Sequence, residues 1–144
     1  MDNRDSIKLL KECDAGSKMA VSSLEDILDK VENVHLKKLL HETKEHHEQL
    51  GNEIHSLLMK YGSEEKDPNP MAKGMSWIKT NAKKMVDESD ETVADLITDG
   101  CNMGVKSLNK YLNQYKAADE VSKDITKRLI NLEEKLAIDI RQFL

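Results

Sequence analysis

Aromatic side chains are scarce: one Trp, three Tyr and one Phe among 144 residues. A sheet core or a base-stacking surface would need more of them. Only two prolines and six glycines interrupt the chain, which excludes collagenous and low-complexity classes. The two cysteines, Cys13 and Cys101, are too few for a disulfide framework, so a reducing, cytoplasmic setting is expected. No apolar run approaches the ~20 residues of a membrane span. The opening MDNRDSIKLLKECD is too charged to read as a signal peptide. The net charge of −5 argues against general nucleic-acid binding, and no phosphate loop, CxxC, G-x-S-x-G or HExxH motif is found.

Helix formers dominate what remains, and 34% of the chain is charged. Apolar residues recur at steps of three and four along four segments. The first segment, about 4–32, carries Ile7, Leu10, Asp14, Ser17, Val21, Leu24, Leu28 and Val31. The second, about 34–61, carries Leu36, Leu39 with Leu40, Thr43, His46 or His47, Leu50, Ile54, Leu57 and Tyr61, with Gly62 as a stop. The third, about 91–116, carries Val93, Ile97, Gly100 or Cys101, Gly104, Leu108, Tyr111 or Leu112, and Tyr115. The fourth, about 119–144, carries Val121, Ile125, Leu129, Leu132, Leu136, Ile140 and Phe143. Such stripes predict one all-α domain over 1–144, an antiparallel four-helix bundle with a solvated charged exterior. Short joins at Glu32-Asn33 and Lys116-Ala118 predict two αα-hairpins. A helix of about 28 residues is ~42 Å long. The crossover 62–90, with a short helix predicted at 71–86, is long enough to run that length. Its Trp77 and methionines would pad the bundle or form a dimer contact.

The hairpins resemble each other. GSKMAVSSL, from Gly16, matches GCNMGVKSL, from Gly100, in Gly, Met, Val, Ser and Leu. A duplicated hairpin with approximate two-fold symmetry would explain this, its small residues permitting close helix approach.

Three of the four stripes are interrupted by polar or small residues near the middle: Asp14 and Ser17, Thr43 and His46 or His47, Gly100 and Cys101. Polar groups inside a bundle are costly unless satisfied, and bundle metalloproteins place carboxylates and histidines at this level. A plainer reading is a hydrogen-bonded cluster, Asp14 with Thr43, His46 or a water, that fixes helix register. The cysteines then count as small buried hydrophobes, or as a thiol sensor if they prove adjacent.

On LLKECDAGSKMA, LKKLLHETKEHHEQL, MAKGMSWIKTNAKKMV, TDGCNMGVKSLNKYL and LEEKLAIDIRQFL, nearly the whole chain resembles the ferritin-like four-helix bundles. More narrowly, it is similar to a bacterial ferritin-like family of unknown function with a helical insert in the crossover. The resemblance implies a di-iron site fed by one Glu from each of two helices and Glu-x-x-His from each of the others. Carried over residue by residue, the helix-one Glu falls at Asp14. In helix two, His46 matches the histidine, Thr43 stands for the glutamate, and Glu42 is one residue off. The helix-three Glu falls at Cys101. In helix four, Lys135 and Ile138 occupy the ligand positions and Glu134 is one residue off. Asp14, His46 and Cys101 are therefore the candidate metal ligands, for zinc or iron, in a site that has degenerated. The function expected is a non-enzymatic structural or protein-interaction module without a cofactor, a homodimer or bound to a protein partner. The alternative is a divergent iron- or zinc-binding protein of stress defence.

Overall fold

In the computed structural model of the chain, residues 2–63, 87 and 89–144 are described. All their regular structure is helical. Helix α1 spans Arg4–Leu28 and α2 spans Val34–Lys60. Helix α3 spans Asp90–Gln114, and α4, Glu120–Asp139, tightens into a 3-10 turn at Ile140–Phe143. The helix predicted at 71–86, with Trp77, lies outside the described residues. Among the described residues, no helix is long and apolar enough to cross a membrane.

Helix starts follow local chemistry. The side chains of Asn33, Ser89 and Asp119 accept from backbone N–H groups two or three residues on, satisfying donors left unpaired in a first turn. Helix α1 stops four residues short of the expected Glu32. Lys30 and Val31 donate instead to Ile27 and Leu28 in a tight turn, which tucks Val31 into the core. The Asp90 carboxylate then accepts from the N–H groups of Glu32 and Asn33, at 3.0 and 2.9 Å, tying this turn to the start of α3. Helix α2 ends as expected at Gly62, whose φ of +74° suits a residue without Cβ.

Two apolar clusters fill the interior, one toward each end. One gathers Leu24 and Ile27 of α1, Leu36 and Leu40 of α2, Val93 and Ile97 of α3, and Leu136 with Ile140. The other gathers Leu10 and Cys13, Leu50 and Ile54, Leu108, and Ile125 with Leu129. At the second end, Asp119 caps α4, accepts from the Tyr61 hydroxyl, and its backbone N–H donates to Ser6 Oγ at 2.8 Å. Val121, expected inside, is 56% exposed, and Ser122 takes the buried position beside it.

The hairpins repeat one burial pattern. Leu9, Leu10, Cys13, Ser17 and Leu24 are buried in α1, and so are Val93, Ala94, Ile97, Cys101 and Leu108 at the same spacing in α3. The pairing is reciprocal: Leu24 shares a cluster with Ala94 and Ile97, Leu108 with Leu10 and Cys13. That reciprocity is how the two sides of an isologous two-fold contact behave. The repeat extends to the other helices. Leu40, Thr43, Leu50 and Ile54 are matched by Thr126, Leu129, Leu136 and Ile140, each buried.

Candidate functional site

Between the two apolar clusters the interior turns polar, around one pair. His47 of α2 is 1% exposed. Its Nδ1 lies 2.7 Å from the Thr43 carbonyl oxygen and its Nε2 lies 2.5 Å from Glu133 Oε1 of α4. A carbonyl only accepts, so Nδ1 carries a proton. Burial by itself would drive the imidazole to its neutral form. The Glu133 hydrogen bond and charge, helped by the Thr43 carbonyl, outweigh burial and leave its pKa raised above 6.5. Protonation of His47 is thus favoured by the carboxylate it faces. His47 and Glu133 are also equivalent in the two hairpins: both sit between the matched residues Thr43 and Leu50 on one side, Leu129 and Leu136 on the other.

Cys101 of α3 adjoins the same carboxylate. Burial first, and then the Glu133 charge, push its thiol well above the ordinary range, so it stays protonated. Cys13 lies elsewhere, with Sγ 3.2 Å from Thr126 Oγ1. Burial raises its thiol to about 11 against the opposing pull of that contact.

Above the pair, a cavity of about 380 Å³ opens between α1 and α3. The sequence repeat forms its two walls: Gly16, Met19 and Ala20 on one side, Gly100, Met103 and Gly104 on the other. The small residues were expected to let the helices touch. They line a space instead: among the described residues, nothing stands within 4 Å of where a Cβ on Gly16 would be. A Cβ on Gly104 would meet Glu133 Oε2 at 3.6 Å. Glu12 and Tyr111, both partly exposed, also line the cavity, and burial first, then the Glu12 charge, raise the Tyr111 hydroxyl above its ordinary value.

The three candidate ligands are not brought together. Asp14 is buried but paired with Lys18 of its own helix at 2.9 Å. His46 is exposed, correcting the register expected for it: the inward histidine is its neighbour, about 100° round the helix. Cys101 alone reaches the central level. Lys135 and Glu134 are exposed, and Ile138 is 54% exposed. Among the described residues, no group of three or more His, Cys, Asp or Glu could hold a metal ion. At the central level Glu133, His47 and Cys101 come together, with His47 and Glu133 hydrogen-bonded to each other. Sequence reasoning missed Glu133 by choosing Leu132 for the inward stripe. The usable signal was an identical spacing, Thr43-His47-Leu50-Ile54 beside Leu129-Glu133-Leu136-Ile140.

A family profile described as a domain of unknown function (DUF2383) matches residues 5–114. No curated protein and no solved structure matches the chain.

Proposed function

The chain belongs to the family described as a domain of unknown function, DUF2383, and from that premise we propose a non-enzymatic binding module: a ferritin-like bundle whose central metal level has become one His47–Glu133 pair beneath an apolar cavity. The ferritin-like reading draws support from the end clusters. They join the end of α1 to the starts of α2 and α3, as two antiparallel hairpins linked by a full-length crossover would. The observation that carries the function is the closed pair. His47 has both ring nitrogens engaged, one by the Thr43 carbonyl and one by Glu133, so the polar centre satisfies itself within the bundle. The adjoining thiol is held protonated and does not supply a nucleophile. What remains available is the shaped space beside them, of a size that suits a small organic molecule.

Metal content of untagged protein, followed by Fe²⁺ and Zn²⁺ titration, tests this directly. Binding no tighter than about millimolar, which corresponds to about −4 kcal/mol, is the expected result. A second reading, a divergent zinc- or iron-binding protein, is favoured by Cys101 meeting Glu133 beside His47. Near-stoichiometric metal that disappears in His47→Ala and in Cys101→Ala would establish that reading and end the first. Association with a second copy or a protein partner belongs to the same proposal. A clean monomer by light scattering at high micromolar concentration would remove the homodimer.

A further inference from the structure

The cavity has a charge as well as a shape. Five of its described lining residues are ionisable, and burial keeps two of them, Cys101 and Tyr111, in their neutral forms, which leaves Glu12, Glu133 and His47 as the charge-bearing groups. Among the described residues, no lysine or arginine lines it. His47 neutralises Glu133 within the buried pair at the floor. Glu12 is left as the carboxylate not balanced by a lining cation, at a partly exposed position. Tyr111 lines the cavity with it, an aromatic ring of the kind that attracts cations. Inward from that point the walls are apolar or small. Met19 and Met103 face in from the two repeats, side chains that adapt to irregular ligands. The space thus has an anionic, wettable mouth and an apolar body.

We propose that the cavity binds a small amphiphilic amine, its ammonium at Glu12 and Tyr111 and its hydrocarbon body lying between the Gly16 and Gly104 walls over the His47–Glu133 pair. An alcohol of the same shape would lose the charge attraction at the mouth. A carboxylate would meet Glu12 as a like charge. The inference rests on the binding-module reading, and the two can fail separately.

The test uses full-length protein at pH 7, with hexylamine, hexanol and hexanoate titrated while backbone amides are followed by NMR. Hexylamine is expected to shift the amides of Gly16, Gly100 and Gly104 saturably, at least tenfold tighter than hexanol, with hexanoate weakest. Glu12→Gln should bring hexylamine to within about twofold of hexanol and leave hexanol unchanged. Gly16→Phe, which puts a ring into open space, should abolish both. Hexanol matching hexylamine at these amides would overturn the amine inference and leave the binding module standing. No shift at the cavity amides with any of the three would overturn both. Shifts there that follow protein concentration without ligand would place a second copy in the space and overturn the amine as occupant.

Discussion

At the scale of single residues, the His47–Glu133 pair dominates, because its members are worth more together than apart. Removing one partner of a buried ion pair leaves the other charged and poorly solvated, whereas replacing both by apolar groups is often neutral. His47→Leu is expected to cost about 3 kcal/mol in urea denaturation. His47→Leu with Glu133→Leu together should recover most of that loss. Equal losses in the single and double variants would show that the pair is not coupled. Asp14 is a milder case. Its partner Lys18 is 41% exposed, so Asp14→Leu should leave the fold intact and change stability by less than about 1 kcal/mol. Gly16→Ala should stabilise by roughly 0.5–1 kcal/mol, since the helix gains propensity and the methyl group meets open space. A thermal melt resolves either change. At this scale the sequence was ambiguous for a definite reason. His46 and His47 are adjacent on a helix, and a repeat of three or four residues accommodates either one. Only the partner on α4 decides, and Glu133 was hidden behind the more apolar Leu132.

At the scale of helices, periodicity carried more information. The boundaries of α2 agree with the stripe to within one residue, and α3 starts within one residue of its expected position. Apolar spacing is a property of the segment itself, and the stops at Asn33 and Gly62 are local chemistry. The end of α1 was less legible: Lys30 and Val31 close a tight turn onto Ile27 and Leu28, and the two N–H groups after it are held by Asp90, far along the chain. The start of α4 shows similar long-range support. Asp119 satisfies the Ser122 N–H, accepts from Tyr61, and is reached through its backbone by Ser6. Asp119→Ala should therefore cost about 1–2 kcal/mol, at the upper end of the range for a cap, as measured by chemical denaturation. Asp119→Asn keeps an acceptor for Ser122 and should cost less. A loss in the Ala variant below about half a kcal/mol would mean the cap contributes little here.

At the scale of the whole molecule, these groups set how stability depends on pH. Burial alone would raise the Asp119 carboxyl, but hydrogen bonds from Tyr61, Ser122 and Ser6 overcome it and hold its pKa below 3.8. Its contribution is present above that value and disappears as pH falls through the lowered one. His47 works in the opposite sense. Its raised pKa gives stability that is complete below pH 6.5 and is lost as pH rises through the folded value. The melting temperature should thus fall on both sides of a mildly acidic maximum. In His47→Gln, the decline above pH 6.5 should flatten relative to the parent, and calorimetry at several pH values would show it. A parallel decline in parent and variant would mean that the pair carries no shared charge. The internal two-fold pattern bears on assembly as well. His47 and Glu133 hold matching places in two similar hairpins, one basic and one acidic. If the halves were made as separate chains, either one doubling on itself would press histidine to histidine or glutamate to glutamate at the centre. Only the mixed complex would restore the opposite charges, so the sequence carries a rule of mutual choice: each half selects the other over its own copy.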